Sequence, residues 1–363
     1  MDDFDLRRAA DYLHEGWDSR ALARAVKDGA LAHVRHGVYE PVKPGRAHTP
    51  TAVHRRAVLA ATLVRHEDSV VSHVSAAVLH RLPVRRAALG LVHLSRGGRG
   101  HGKVVAGVHL HRTELAASEV VEVDGLRVTS LERTVADLAR TEPYAWGVCA
   151  ADAALRSGAS DLMLLDLAAR GRRTPGNKRF RDVLAFADAK AESPLESLSR
   201  VSIARAGLPT PVLQHQVRSA HGMVVATSDF GWPELRTVGE ADGRLKYADD
   251  PVRGRTAGDA IVAEKARDQA IRDCGVWVVH WGWADALDHQ RLGKRLVAAF
   301  RAARPVTGPL VSRDPPRSPN VLAPPTNPSA QARFGSEVGV RETRLSPATG
   351  PRVPWRPGCC GRP

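Results

Sequence analysis

The sequence predicts an α+β, multidomain chain: a small N-terminal helix–helix–hairpin unit, a mixed α/β connector, a C-terminal α/β unit and a tail without a core. Three observations predict it. A length of 363 residues with 43% hydrophobic and 25% charged side chains suits a globular protein of two or three domains. Two short amphipathic runs precede an alternating segment centred on Gly37. Between 195 and 301 the apolar period switches repeatedly between helical and strand-like, giving helix, three strands, helix, strand, helix.

Residues 4–14 carry a short helical pattern, and DSRALARAVKDG, Asp18 to Gly29, carries a second with clear punctuation. Ser19 or Asp18 is the N-cap, and Gly29 stands where a C-terminal glycine belongs. In LAHVRHGVYEPV the apolar Leu31, Val34 and Val38 interleave with His33, Arg35 and His36 around Gly37, the pattern of a small hairpin. This first unit is assigned to 1–47.

The connector is assigned to 48–190. Residues 51–66 and 72–82 read as helices, followed by the strand-like runs LGLVHLS, GVHLHR and GLRVTS. Thr129 with Glu132 makes a capping-box pattern opening the helix SLERTVADLAR, and further helices are expected over 144–156, 160–170 and 177–190.

The third unit, 191–301, is expected to run as a helix (195–206), strands (212–217, 223–230, 235–241), a helix (258–274), a strand (275–281) and a helix (284–301). The segment 302–363 holds 13 of the 24 prolines and no apolar period, so it is expected to be disordered.

A formal charge of +14 favours polyanionic partners, because each Lys or Arg set on a phosphate releases a condensed counterion. Nine Arg against three acidic residues in the tail carry +6 of it and leave +8 for the body. The start MDDFDLRR has neither the basic nor the apolar region of a secretory signal, and no uncharged apolar run reaches membrane-spanning length. A cytoplasmic location without membrane contact is therefore expected. Cys149, Cys274, Cys359 and Cys360 form neither a metal-binding pair spacing nor a disulfide framework. Twelve of the 16 histidines precede residue 112, yet none falls at zinc spacing with a partnering acid or cysteine, so no zinc site is proposed from the spacing.

On a helix beginning at Ser19, Arg20, Arg24 and Lys27 share a narrow arc at about 100° per residue, with Leu22 and Val26 opposite. An apolar side seats such a helix while the basic side meets phosphates and base edges; Arg35 and His36 sit near the tip of the following hairpin. The same three charges also suit an ordinary solvated face. The run DGALAHVRHGVYEP resembles the end of the winged-helix domain of AbiEi-type antitoxins of type IV toxin–antitoxin systems. VVSHVSAAVLHRLPV and VTSLERTVADLAR resemble the segments that follow it there. The resemblance covers about residues 5–140 and lacks the family's first helix. It implies a winged-helix DNA-binding domain, using Ser19, Arg20, Arg24, Lys27, Arg35 and His36 on double-stranded DNA. As partners it implies a cognate toxin and a second copy of the chain as a homodimer.

In ATSDFGWPELRTVGEADGRLKY, Asp229 ends one strand and Glu240 the next, so antiparallel pairing brings the two carboxylates to one edge. Paired carboxylates can hold Mg²⁺, which activates water and stabilises charge on a phosphodiester. Together with EKARDQAIRDCGVWVVHWGW, this run resembles the PD-(D/E)XK restriction-endonuclease-like core in its very-short-patch-repair branch. That resemblance implies Asp229 and Glu240 as metal ligands, Asp242 as a third, Mg²⁺ as cofactor and Glu196 as the helix acid. Ser193-Pro194-Leu195-Glu196 is itself a capping box with proline at the first helical position, so the reading of Glu196 as a cap stands ahead of the catalytic one. Asp242 stands where that superfamily carries a lysine, leaving Lys246 or Lys265 to supply the ammonium. The same residues also suit a structural hairpin whose acids cap loops.

Two readings compete: a DNA-binding transcriptional regulator carrying a nuclease-like domain, and a Mg²⁺-dependent endodeoxyribonuclease delivered by the winged helix. A third is an antitoxin that binds a protein partner through the connector.

Overall fold

Short strands and amphipathic helices distribute the chain over three separate sheets in a mixed α/β architecture. The computed structural model describes residues 4–43, 48–66, 68–98, 100–243 and 257–303; from 304 onward the segment expected to be disordered lies outside the described residues.

The first sheet is built by β1 (Arg7–Arg8), α1 (Ala9–His14), α2 (Ser19–Lys27), β2 (Leu31–Arg35) and β3 (Val38–Pro41). Its strand order is β1-β3-β2, antiparallel throughout, so the hairpin folds back beside the strand that precedes both helices. Of the two cap candidates, Asp18 does the capping: its carboxylate accepts from the Ala21 N–H at 2.6 Å. Gly37 turns the hairpin at φ 75°, a conformation with little cost only for glycine. Tyr12, Leu22 and Leu31 make up a very small core.

The second sheet follows α3 (Pro50–Thr62). It takes in β4 (Val70–Val71), then, after α4 (His73–Leu79), β5 (Val92–Arg96), β6 (Lys103–Val105), β7 (Val108–Arg112), β8 (Val120–Val123) and β9 (Leu126–Thr129). The order is β6-β7-β5-β4-β9-β8. Val71, Leu94, Val108 and Val128 pack one face against Val58 and Ala61 of α3. The three strand-like runs correspond to β5, β7 and β9, whereas the short β4, β6 and β8 were not anticipated.

The helices α5 (Leu131–Thr141), α6 (Tyr144–Arg156), α7 (Asp161–Arg170) and α8 (Asn177–Phe186) come next. Ser130, not Thr129, caps α5, its hydroxyl accepting from the Arg133 N–H at 3.2 Å. Thr129 ends β9, where its hydroxyl lies 2.8 Å from that of Thr134. Glu132 turns instead to α7 and accepts from the Ser160 N–H at 3.0 Å, so the expected reciprocal box is absent. Gly147 lets α6 cross α5 closely; a Cβ there would lie 3.1 Å from Ala139 Cα.

The last unit consists of α9 (Pro194–Arg205), β10 (Val212–Arg218), β11 (Val224–Trp232), β12 (Thr237–Ala241), α10 (Ala257–Asp273), β13 (Trp277–Trp281), α11 (Trp283–Ala286) and α12 (His289–Ala302). The strand order β10-β11-β12-β13 is antiparallel except for the parallel β12–β13 pair. α9, α11 and α12 cover one face through Leu195, Leu198, Ala286, Leu292 and Leu296 against Phe230, Trp232 and Trp281. α10 covers the other through Ile271 against Val238 and Val278. Cys149 of α6 joins the first of these cores and Val201 of α9 joins that of α5–α8, so the helical layer runs continuously into the last sheet.

Candidate functional site

Two groups of predicted residues have a geometry that can be read. The first lies on α2. Ser19, Arg20, Arg24 and Lys27 are all exposed, while Leu22 is buried and Val26 half-buried. The apolar side is thus spent on Tyr12 and Leu31, and the cationic side is left to solvent. His36 is exposed at the hairpin turn. Arg35 is not: it is half-buried, its Nε has no hydrogen-bond partner among the described residues, and burial, with Arg65 nearby, lowers its pKa.

The second group lies on the last sheet. Asp229 occupies the position that continues the Phe230–Gly239 register, which puts it opposite Glu240; Glu240 in turn pairs with His280 on β13. Asp229 Oδ2 accepts from the Ala241 N–H at 2.8 Å. Glu240 is buried and faces α10, where Arg267 donates to its Oε1 at 2.9 Å and also to the Thr227 carbonyl. Burial pushes the Glu240 carboxyl above the usual carboxylate range; Asp229 adds to the rise, and Arg267 opposes it.

Glu196 approaches from α9, on the other face. Only half of the expected capping box forms: the Glu196 N–H donates to Ser193 Oγ at 3.2 Å, while the Glu196 carboxylate accepts from the Ser193 hydroxyl (Oε1, 2.8 Å) and from the Glu192 N–H (Oε2, 2.8 Å) instead of the Ser193 N–H. Burial, with Asp229 contributing, raises its pKa as well, against the hydrogen bonds from the Glu192 N–H and the Ser193 hydroxyl, which lower it. Asp229 therefore feels two acids that the sheet holds apart. Gln214, which falls opposite Asp229 in the β10–β11 register, adopts φ 50° and donates to Glu196 Oε2 at 3.4 Å. A non-glycine residue in that region is strained, and such strain gathers at functional sites.

The expected Mg²⁺ set does not fit as it stands. Glu240 already carries a guanidinium, and Glu196 is occupied by its cap. Among the described residues, Asp229, Glu240 and Asp242 do not form a group of three whose oxygens lie within 4.8 Å of one another. Asp242 follows β12, its N–H donating to the Trp281 carbonyl at 2.8 Å. Lys265 is exposed on α10, and it is Arg267, not Lys265, that reaches Glu240; Lys246 lies outside the described residues.

The sequence reading missed two features. Arg267 and His280 complete the surroundings of Glu240, with His280 Nε2 2.9 Å from Asp268 Oδ2. His73, His93 and His111 converge on the second sheet, although their spacing in the sequence pointed to no zinc site. They come from three elements, so no local spacing announces them.

No family model matches the chain. It is 31% identical over 218 residues to "Uncharacterized protein Rv2248" of Mycobacterium tuberculosis strain H37Rv, and equally to "Uncharacterized protein MT2308" of strain CDC 1551. In each case 59% of this chain and 74% of the relative are covered. Among solved structures, the RV2827C protein of Mycobacterium tuberculosis gives a TM-score of 0.36 at 14% identity, over 59% of this chain and 83% of that one. At the identity and coverage of the first comparison, the chain belongs to the family of the uncharacterized mycobacterial protein Rv2248.

Proposed function

We propose that the protein is a duplex-DNA-binding regulator whose N-terminal unit is a winged helix. The observation that carries this is the two-sidedness of α2: Arg20, Arg24 and Lys27 are exposed on one side while Leu22 is buried on the other. Further support comes from the strand–helix–helix–hairpin order, with β3 returned beside β1 and His36 exposed at the turn. A helix seated in this way offers its cations to phosphates and base edges, and the hairpin is placed to act as the wing.

The test is retardation of short duplexes by the full chain across a salt series, beside the Arg20→Ala/Arg24→Ala/Lys27→Ala variant. Three lost phosphate contacts reduce the slope of log affinity against log salt by about 3. Identical slopes for the two proteins would remove this reading, because any binding would then come from elsewhere in the chain.

A Mg²⁺-dependent endonuclease of the PD-(D/E)XK kind is the second reading, supported by Asp229 standing in register with Glu240 in an αβββαβ unit. Arg267 weighs against it, since an ion at Glu240 has to displace the guanidinium. Supercoiled plasmid with Mg²⁺ decides: nicking abolished by Asp229→Ala establishes a nuclease, and retardation without nicking leaves a regulator.

A further inference from the structure

The second sheet gathers imidazoles on one face. β5 and β7 run parallel with His93 opposite His109 and Ser95 opposite His111, so all four side chains share a side. α4 begins directly over them with His73, whose ring stacks on that of His111 at 3.7 Å between centroids. Ser72 fixes this approach: its N–H donates to the His93 carbonyl at 3.1 Å, and its hydroxyl receives a hydrogen bond from Ser95 at 2.7 Å.

The ligand nitrogens of His73, His93 and His111 all lie within 4.8 Å of one another. His93 Nδ1 and His111 Nε2 face each other at 2.9 Å, close to the separation of about 3.3 Å that two nitrogens take around a tetrahedral ion. Nδ1 of His73 is engaged by Ser72 Oγ at 3.0 Å and faces Asp137 Oδ2 at 3.8 Å, which leaves Nε2 for an ion. Asp137 is buried, and this Oδ2 accepts no hydrogen bond among the described residues. Its other oxygen is held by Arg133 Nε at 2.9 Å. A carboxylate behind an imidazole is the arrangement that orients metal-binding histidines.

We propose that His73, His93 and His111 bind one divalent transition-metal ion, with Zn²⁺ the best match to three imidazole donors, and that Ser72, hydrogen-bonded to Nδ1 with the Asp137 carboxylate behind it, orients His73. One further observation agrees: His73 sits at φ 51°, a left-handed conformation uncommon for a non-glycine residue and one that gathers at functional sites. For an ion to enter, the proton lying between His93 Nδ1 and His111 Nε2 shifts by tautomerisation to the outer nitrogen of the ring that carries it, so that each neutral ring turns one lone pair to the metal and keeps its one N–H on the far side. The ion also turns the stacked rings edge-on. Three protein donors leave a fourth position for water or an exogenous ligand. The site is independent of the DNA-binding reading.

The test uses the full chain carrying Cys359→Ser and Cys360→Ser, so that the vicinal thiols take no metal. After dialysis against Zn²⁺ and then metal-free buffer, elemental analysis should find one ion per chain. Co²⁺ should give visible bands without a thiolate charge-transfer band. His93→Gln/His111→Gln should weaken binding by more than about 100-fold, beyond what loss of an orienting partner costs. His221→Gln, at an exposed position between β10 and β11, should leave metal binding unchanged. If the double variant does not fold, His93→Gln alone, read by loss of the Co²⁺ bands, serves in its place. A wild-type chain that retains no ion, or variants that retain it as well as the wild type, would overturn the proposal.

Discussion

Glu240 on β12 receives a hydrogen bond from Arg267 of α10 at 2.9 Å, while the carboxylate nearest it in register is Asp229. The guanidinium thus offsets two costs, burial of Glu240 and repulsion from Asp229, both of which raise its pKa. Arg267→Ala leaves a buried carboxyl facing another acid. It is expected to destabilise the chain by about 1–3 kcal/mol, below the cost of breaking a fully buried pair because Arg267 is 42% exposed. Urea unfolding measures this. Adding Glu240→Gln should recover part of the loss, and additive losses would mean that the two groups are not coupled.

The N-terminal unit rests on three buried side chains, Tyr12, Leu22 and Leu31. Leu22→Ala should cost about 2–5 kcal/mol of local stability, more than so small a core is expected to hold in reserve. Limited proteolysis should then cut within 4–43 and spare the rest. Arg24→Ala, on the exposed face of the same helix, should leave the digestion pattern unchanged, within about 0.5 kcal/mol. Equal protection of Leu22→Ala and the wild type would show that neighbouring elements hold this unit together.

Features with local causes were legible before the structure. The bounds of α2 follow from Asp18 and Gly29, the start of α9 from Ser193-Pro194, and the order of elements over 195–301 from alternating apolar periods. β4 was not legible, because two valines carry no period. The cap of α5 was misread because Thr129 and Ser130 are adjacent and chemically similar; sheet register, which is non-local, claims Thr129 for β9. At the acidic cluster the strand-borne Asp229 and Glu240 could be found, but Arg267 could not. Its role depends on which face α10 covers. The imidazole cluster is the extreme case, since His93 and His111 meet only through the parallel pairing of β5 with β7 and His73 joins them only through the seating of Ser72 on β5.

Gly239 on β12 lies under Trp281. A Cβ at 239 would come 2.4 Å from Trp281 Cη2, and the ring cannot retreat easily: it is buried, and its Nε1 donates to Ser199 at 2.8 Å. Gly239→Ala is therefore an overpacking substitution, with an expected cost of about 1–3 kcal/mol. The midpoint of chemical unfolding should fall at unchanged slope. Because Trp281 is displaced, its fluorescence should shift to the red in the native state. An unchanged midpoint would mean that β12 and β13 move apart at little cost.

The imidazole cluster also sets a pH dependence whose sign is fixed. In the folded chain, burial first, then Arg133 at His73 and neighbouring imidazoles at the other two, lowers His73 and His93 to about 3 and His111 to about 2. In the unfolded chain each returns to about 6.5. Between those values the unfolded state takes up protons that the folded state refuses. Stability is then whole above about pH 6.5 and is lost as pH falls toward about 3, at up to about 1.4 kcal/mol per pH unit for each histidine. His73→Gln should remove one such share, making the stability curve between pH 6.5 and 4 shallower than that of the wild type when both are measured in chelator. Carboxylates that titrate in the same range cancel in the difference between the two curves. Parallel curves would mean that His73 is already protonated in the folded protein, with Asp137 Oδ2, 3.8 Å from its Nδ1, holding the charge.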